Sequence, residues 1–438
     1  MQVCAGAFRH AHRLMKRAQN MPNHHTHLLD SVREADSGFI YEQGGRFEAV
    51  ASNDVRVLTP RHDVDDPYRA IDALVARWNQ LLDAHEAVDA RVLVFVGYET
   101  QAAAFASSPL PASHQSVPEV LVMVPQQLSI VELRDDSIRR LALPWSDDLL
   151  GDDFMDWTRP GSRMGEGSAT TTRDAYIARV EAVKDKITTS ELDQAVVSMV
   201  QTFDSPPPIE ELYVALRRLN PSPQMFMFKA PGFSVAGSTP LRLFELRGRN
   251  LRVETDGGTR AVVPGHAAPT ELWTPTEKER HEHELLVDAL HEDLGPLVEP
   301  DSLVAGGSLV ERRFSHVRHL FASATGTVAV NATPGALLRG LTPHGAVTGA
   351  PKHVAVDTIA QVEGVGRGAY GGIVGLVGPF GDMDVACIIR SFVVEDELLR
   401  IQAGAGIVVL SDPEAEYREC WQKSQALLDV IGAVGQER

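Results

Sequence analysis

The chain has 438 residues, of which 44% are hydrophobic, and this is enough for a large buried core without covalent cross-links. Lysine and arginine number 41 against 59 aspartate and glutamate, a net charge of −18 that argues against a nucleic-acid partner. The three cysteines, Cys4, Cys387 and Cys420, are scattered, and no apolar run reaches membrane-spanning length, so we expect a cytoplasmic protein with no membrane partner.

The first twenty residues carry four basic side chains, Arg9, Arg13, Lys16 and Arg17, with no apolar stretch after them. A secretory signal needs such a stretch, so this pattern does not predict export. We expect residues 1–20 to form a disordered extension and Met21 to be the true start.

The elements predicted from hydrophobic periodicity are helices and strands in mixed order. A segment rich in Gly, Ser and Thr, residues 157–172, predicts a loop between two halves. Long strands mixed with helices, without a strict β-α-β rhythm, predict the α+β class with extended sheets. In chain order we predict a helix near 66–83, strands over 91–97 and 120–124, a helix over 174–188, a strand over 194–202, a helix over 209–219, a hairpin over 224–243, a long helix over 276–292, strands over 371–378, 385–394 and 399–409, and a last helix over 412–431.

Paired carboxylates stand on two of the predicted helices. Glu279 and Glu282 lie three residues apart on the helix over 276–292. Glu416, Glu419 and Lys423, at spacings of three and four, share one face of the last helix. Helices that present carboxylates in this way can bind a hard cation such as Mg²⁺, which prefers oxygen ligands. Spacing alone leaves open that both are ordinary solvated faces.

Two short glycine-containing segments are candidate anion sites. AGAGI (403–407) ends a strand with small residues, where backbone N–H groups can approach an anion, although a packed strand without side chains explains it as well. TGAPK (348–352) is a turn that opens a helix, and helix N-termini attract anions. His281, His283 and His291 lack the spacing of a zinc helix, so zinc is not expected.

Eight motifs in a fixed order make these pieces specific. They are NPSPQMFM (220–227), KERHEH with LLVDAL (278–283, 285–290), VRHL (317–320), TGAPK (348–352), RGAYGG (367–372), DVACIIR (384–390), QAGAGIV (402–408) and EAEYRE with Lys423 (414–419). Over its C-terminal two-thirds the chain therefore resembles the large chorismate-utilising enzymes, which are the anthranilate, aminodeoxychorismate, isochorismate and salicylate synthases.

The resemblance implies a fold and a metal. The fold is a large αβ sandwich of two packed β-sheets with outer helices, in which residues 21–160 form the N-terminal part and residues 161–438 the chorismate-binding catalytic region. The cofactor is Mg²⁺, with Glu282 and Glu419 as ligands and with Glu279 and Glu416 close by as direct or water-mediated ligands.

The resemblance also implies a substrate site for chorismate or a close relative. A dianionic substrate in an acidic protein needs Arg, Lys and a metal to offset repulsion. The implied substrate-binding residues are Gly258, Thr259, Tyr370, Arg390, Gly404, Gly406 and Lys423, and the implied catalytic positions are Gln194, His319 and Thr348.

Two positions favour one branch of the resembled family. Gln194 stands where the isochorismate and salicylate synthases carry the lysine that deprotonates water, and a neutral amide cannot act as that base. Gly257 stands where the aminodeoxychorismate synthases carry a nucleophilic lysine. We therefore expect a lyase that adds ammonia at ring C2, as in anthranilate or 2-amino-2-deoxyisochorismate formation.

Other positions depart from the resembled motifs. In GSTPL (237–241), Leu241 replaces the glutamate that protonates the departing C4 hydroxyl, and Ala346 replaces a threonine. Either another acid such as Glu254 or Asp256 takes over, or the reaction differs. An atypical isochorismate-type or salicylate-type enzyme and a chorismate-binding paralogue without turnover stay open as alternatives.

The positions of the cysteines indicate where the ammonia for the expected reaction would come from. None of the three stands in the Gly-x-Cys-x-Gly elbow of a glutaminase nucleophile. We expect ammonia to come from solution or from a separate glutaminase subunit.

Overall fold

A computed structural model describes residues 30–43, 47–52, 54–61, 66–81, 89–113, 117–132, 137–143, 145, 147–158, 170–261, 274–313 and 317–437. The extension expected over 1–20 lies outside these residues.

Within the described residues the strands lengthen toward the C-terminal half. They are β1 (Gly38–Gln43), β2 (Phe47–Ser52), β3 (Val55–Pro60), β4 (Val92–Val96), β5 (Val120–Pro125), β6 (Gln127–Glu132), β7 (Ser137–Ala142), β8 (Phe154–Asp156), β9 (Gln194–Asp204), β10 (Gln224–Ala230), β11 (Phe233–Thr239), β12 (Arg242–Arg247), β13 (Asn250–Ala261), β14 (Val304–Arg313), β15 (Val317–Thr327), β16 (Gly349–Ala350), β17 (Ile373–Val377), β18 (Met383–Cys387), β19 (Ser391–Glu395) and β20 (Leu398–Ile407). The helices are α1 (Pro67–Leu81), α2 (Tyr98–Ala102), α3 (Asp147–Leu150), α4 (Arg173–Thr189), α5 (Ile209–Leu219), α6 (Glu277–Leu294), α7 (Pro334–Leu341), α8 (Lys352–Glu363) and α9 (Pro413–Glu437).

The described strands form two ten-stranded antiparallel sheets. The first has the order β16-β9-β20-β19-β11-β10-β1-β2-β6-β7. The second has the order β14-β15-β13-β12-β18-β17-β4-β5-β3-β8. Both sheets take strands from before and after residue 160, so the two expected segments share one sandwich. The predicted α+β class with two packed sheets is confirmed.

Successive side chains of a strand point to opposite faces of its sheet. The strands therefore contribute to an inner core between the two sheets and to an outer core on the outer face. Between the sheets, Phe228 of the first lies 5.6 Å in ring-centroid distance from Phe95 of the second. On the outer face of the first sheet, Ile40 belongs to a cluster with Leu212 of α5 and Val430 of α9. The helix α9, which carries the predicted carboxylates, is thereby fixed against the sheet that contains the glycine-rich strand.

One predicted strand is wrong in a way that matters for the site. The strand predicted over 385–394 is two strands, β18 in the second sheet and β19 in the first. The chain crosses between the sheets at residues 388–390, and Arg390 takes a positive φ of 50°. Periodicity did not reveal the crossing because both flanks are apolar. The crossing places Arg390 at the boundary between the sheets.

The predicted hairpin over 224–243 is partly right. β10 and β11 pair as expected, but the chain then leaves for the second sheet as β12. The β13, β14 and β15 strands were not predicted, because charged residues such as those in VERR (310–313) blur the apolar alternation.

A buried ion pair joins the elements around the glycine-rich strand. The Arg367 guanidinium donates to both carboxylate oxygens of Glu363, at 2.9 and 2.7 Å. It also donates to the carbonyls of Val347 (2.7 Å) and Val196 (2.6 Å). Arg367 is 2% exposed, and its guanidinium lies 5.5 Å from the ring centroid of Tyr370. One side chain thus holds β9, the turn before β16 and the Tyr370 loop together.

We expect Arg367→Met to lower the free energy of unfolding by about 3–5 kcal/mol, because it leaves the buried Glu363 carboxylate without its cation. Urea unfolding followed by circular dichroism measures this. The double variant Arg367→Met/Glu363→Leu removes the stranded charge and should recover part of the loss. A loss below about 1 kcal/mol in the single variant contradicts this assignment.

Candidate active site

The two carboxylate-bearing helices meet at a lysine. Lys278, in the first turn of α6, places its Nζ 2.5 Å from Glu416 Oε1 on α9. The same Nζ lies 3.2 Å from Glu282 Oε1, one turn along α6. Glu416 is 1% and Glu282 8% exposed. Two of the four predicted metal carboxylates are therefore gathered around one ammonium group.

The donor set of this cluster suits a hard cation. The Glu282 Oε1 atom is buried and makes no regular hydrogen bond, although the Lys278 ammonium lies 3.2 Å away as an ion-pair partner. Burial raises the Glu282 pKa to about 7, and the carboxylates of Glu419 and Glu416 add to the rise while the Lys278 ammonium opposes it. Carboxylate oxygens are the ligands that Mg²⁺ prefers. Among the described residues no group of three or more His, Cys, Asp or Glu is already assembled to hold a metal.

The other two predicted carboxylates have partners of their own. Glu279 closes a capping box at the start of α6, in which its Oε2 accepts a hydrogen bond from the Thr276 backbone at 2.7 Å. Glu419 lies 2.9 Å from Lys423 Nζ, one turn further along α9. Magnesium binding by the four glutamates stays a prediction.

The glycine-rich strand β20 forms the floor of the site, against β9. A Cβ on Gly404 would lie 2.7 Å from Tyr370 Oη, and a Cβ on Gly406 would lie 2.4 Å from Gln194 Nε2. Only glycine leaves room for these two side chains, which therefore lie directly on the strand. Tyr370, Gln194, Gly404 and Gly406 were predicted separately, and the structure brings them together.

Positive charge borders this floor. Lys423 Nζ donates to the Gly404 carbonyl at 2.8 Å. Burial disfavours the Lys423 ammonium, but the Glu419 carboxylate and Cys420 together raise its pKa, while the positive charge of Arg390 opposes the rise. Arg390 is 9% exposed and close enough for its charge to act on Lys423. The two predicted anion-binding cations are thus within electrostatic range of each other, and both are largely buried.

Gln194 and Thr348 lie on adjoining strand ends. Gln194 is 3% exposed, and its Oε1 is a buried acceptor without a hydrogen-bond partner. The Thr348 hydroxyl, which is fully buried, donates to the His344 carbonyl at 2.9 Å. The Thr348 carbonyl accepts from the Val196 backbone at 2.8 Å, which ties it to β9. An unsatisfied buried amide oxygen is uncommon and is the kind of group a ligand satisfies.

Three predicted residues are described by their backbone alone. Thr259 of β13 pairs with His319 of β15 across the second sheet. The pairing shifts register between Gly257 and Thr259, so Gly258 lies at a β-bulge. The side chains at these positions lie outside the described part of the chain, and their roles stay predictions.

Leu241, which stands where the resembled motif has a glutamate, lies in an apolar environment. Leu241 is fully buried and belongs to the main apolar core. Glu254, considered above as a substitute acid, accepts two hydrogen bonds from Arg312 (2.9 and 3.0 Å) and lies 3.0 Å from Arg252. The Glu254 carboxylate is therefore already paired with two guanidinium groups. Its role as a substitute acid stays a prediction, and the side chain of Asp256 lies outside those described.

Two residues of the site were not singled out from the sequence. Lys278 belongs to the quoted KERHEH motif, and its i, i+4 spacing from Glu282 could have marked it as a partner. His344 is 4% exposed, and its Nδ1 accepts a hydrogen bond from the Ala346 backbone at 3.1 Å. Burial lowers the His344 pKa to about 3, and the charge of Lys352 contributes. No sequence pattern signalled this histidine.

The site thus combines a glycine-rich strand, two cations and a pair of buried carboxylates within a two-sheet sandwich. The sequence pattern of the chorismate binding enzyme family matches residues 28–429. The chain belongs to the chorismate binding enzyme family, as the motifs predicted. The described helices include none that is both long and apolar enough to cross a membrane.

Individual relatives and solved structures agree. Anthranilate synthase component 1 of Cereibacter sphaeroides is 38% identical over 273 residues, which is 61% of this chain and 54% of that protein. The chain spans about half the length of the curated relatives it matches. Anthranilate synthase component I of Streptococcus pneumoniae shares the fold with a TM-score of 0.71 at 21% identity, over 87% of this chain and 92% of that one. A putative 2,3-dihydroxybenzoate-specific isochorismate synthase of Bacillus anthracis gives a TM-score of 0.70 at 20% identity, over 93% and 99%.

The buried His344 predicts a pH dependence of stability. Its folded pKa is depressed below the ordinary 6.5, so the neutral ring stabilises the fold above about pH 6.5, and this stabilisation is lost as the pH falls toward 3. Between pH 7 and pH 5 the wild type should lose about 2 kcal/mol that His344→Gln, which cannot titrate, does not lose. Urea unfolding of both proteins at both pH values measures the difference. Equal losses in the two proteins would show that the His344 pKa is the same in the folded and unfolded states, which contradicts a buried neutral ring.

Proposed function

We propose that this chain is a Mg²⁺-dependent, chorismate-utilising lyase that adds ammonia at ring C2 of chorismate. The product is of the anthranilate or 2-amino-2-deoxyisochorismate type. Family membership and the curated relatives named anthranilate synthase component 1 support this proposal. The observation that carries the choice of nucleophile is Gln194, a buried amide on the floor of the cleft where a water-activating lysine is absent.

Two positively charged side chains support the binding of an anionic substrate. Arg390 and Lys423 are adjacent cations at a partly enclosed cleft, where they attract a carboxylate more strongly than in water. The Tyr370 hydroxyl, above Gly404, can donate to the same anion. Burial raises the Tyr370 pKa well above its usual value, so the phenol keeps its proton as a donor.

The residues that would hold Mg²⁺ are Glu282, Glu416 and Glu419, with Glu279 close by. When bound, the ion supplies positive charge that neutralises a substrate carboxylate and offsets repulsion from these glutamates.

Gln194 determines which nucleophile can react. A neutral amide does not take a proton from water, so water stays a weak nucleophile in this cleft. Ammonia needs no such base, since its free electron pair is already available at neutral nitrogen. The buried Gln194 Oε1, which lacks a partner, can accept a hydrogen bond from ammonia and position it.

The ammonia supply completes the proposal. The relatives are named as component 1 of their synthase, which supports a second component as a partner. We propose a separate glutaminase subunit, with free ammonium as a substitute in vitro.

The experiment that tests the nucleophile uses chorismate, Mg²⁺ and ¹⁵N-ammonium, with products identified by mass. Nitrogen should be incorporated by the wild type. Gln194→Lys introduces a base whose pKa burial lowers, so part of the product should now carry oxygen from water. Gln194→Met is the matched neutral control and should not form the oxygen product. Isochorismate or salicylate from the wild type without ammonium contradicts the proposal.

A chorismate-binding protein without turnover is the second candidate, and Leu241 favours it. The fully buried leucine cannot protonate the leaving C4 hydroxyl, and Glu254 is held by Arg312. In this case the anion site is kept and the acid is lost.

Leu241→Glu tests this candidate against the first. A carboxyl group in this apolar place should have a raised pKa and stay protonated near neutral pH, as a general acid requires. If standard turnover is slow in the wild type for lack of this acid, the variant should raise it by about 10²–10⁴-fold.

Leu241→Gln is the control, because it is similar in shape but cannot donate as an acid. Chorismate turnover and binding are measured for all three proteins. Wild-type turnover at a rate that Leu241→Glu does not increase would show that a different residue supplies the proton.

A further inference from the structure

Lys278 stands at a position in its helix that disfavours a positive charge. It lies in the first turn of α6, where the helix dipole opposes positive charge. Its side chain is 27% exposed, so this long side chain could have extended its ammonium group into water. Instead its ammonium lies 2.5 Å from Glu416 and 3.2 Å from Glu282. The carboxylates, not the helix, keep Lys278 in place.

The carboxylates in turn need this cation. Glu282 and Glu416 are buried, and burial raises the pKa of each carboxyl group while the Lys278 ammonium opposes the rise in both. Glu419 adds a third negative charge and has its own partner in Lys423. Without a cation between α6 and α9, two buried like charges would push these helices apart.

We propose that Lys278 is the resident counter-ion of the metal carboxylates, holding Glu282 and Glu416 together in the metal-free protein and leaving them when a divalent cation binds. This inference rests on the proposed Mg²⁺ dependence. The ammonium and the ion compete for the same oxygens and repel each other, so both cannot hold the pair at close range. The flexible, partly exposed lysine side chain has a path to solvent. Lys278 is thus a positioning residue that sets the metal affinity.

The test measures Mn²⁺ binding to the full chain without chorismate, by electron paramagnetic resonance of the free ion. Lys278→Met should bind Mn²⁺ about tenfold more tightly than the wild type, because no ammonium has to be displaced. Lys278→Arg keeps the charge and should bind no more tightly than the wild type. In EDTA the melting temperature of Lys278→Met should fall below that of the wild type, and saturating Mn²⁺ should raise it by more than it raises the wild type.

The matched control is Lys229→Met. Lys229 Nζ lies 2.5 Å from Glu210 Oε1 in a similarly buried pair on other elements. Its loss should lower the melting temperature in EDTA but leave the Mn²⁺ affinity unchanged.

The Mn²⁺ measurements distinguish the counter-ion role of Lys278 from the proposed metal dependence. Equal or weaker Mn²⁺ binding by Lys278→Met, with binding intact in the wild type, overturns the counter-ion role alone. No Mn²⁺ binding by the wild type overturns the proposed metal dependence and this inference with it. If Lys278→Met does not fold in EDTA, Lys278→Gln serves in its place, and an unchanged affinity in that variant also overturns the role.

Discussion

Repulsion among buried carboxylates is the constraint on which the site depends. Glu282 of α6 and Glu416 of α9 are buried beside one ammonium group, and burial raises the pKa of each while the Glu419 charge adds to both rises. The structure offsets this with two ammonium groups, Lys278 and Lys423. In a chain of net charge −18 these local cations determine whether a second anion can enter. We propose that a site balanced in this way can take up a metal ion and a dianionic substrate.

The fold makes that balance possible by fixing both helices to the sandwich. α9 packs through Val430 on the outer face of the first sheet, which carries the glycine-rich strand. Lys423 reaches from α9 to the Gly404 carbonyl, so helix and strand cannot move independently. Arg367 secures the neighbouring strand β9 from the inner side. Of the predicted substrate-binding residues, Gly404, Gly406 and Lys423 therefore lie on regular elements, whereas Tyr370 and Arg390 lie on the segments between them.

Local sequence patterns correctly predicted features that involve residues close together in the chain. The i, i+3 and i, i+4 relations among Glu416, Glu419 and Lys423 correctly placed them on one helical face. The ordered motifs correctly predicted the sandwich. The pairing of Lys278 with Glu416 joins positions 138 residues apart, and no local pattern contains that contact. For the same reason the sequence marked Leu241 as a departure but not its place in the apolar core.

Errors occurred where the chain changes sheets. A run of apolar residues through 385–394 has the period of one strand, while the structure turns at Arg390 and continues in the other sheet. Period-two patterns report which residues are buried but not against which sheet. Since Arg390 lies at that turn, the position of this predicted substrate ligand could be determined only from the tertiary structure.

We propose that the glutamates on α6 and α9 exchange the Lys278 ammonium group for a metal ion when a divalent cation binds. A crystal structure with Mn²⁺ and chorismate, with the anomalous signal of manganese recorded, tests it most directly. The account predicts an anomalous peak between Glu282 and Glu416, with the Lys278 amine moved away from both. A peak elsewhere, or a Lys278 amine still between the two carboxylates beside bound chorismate, would contradict it.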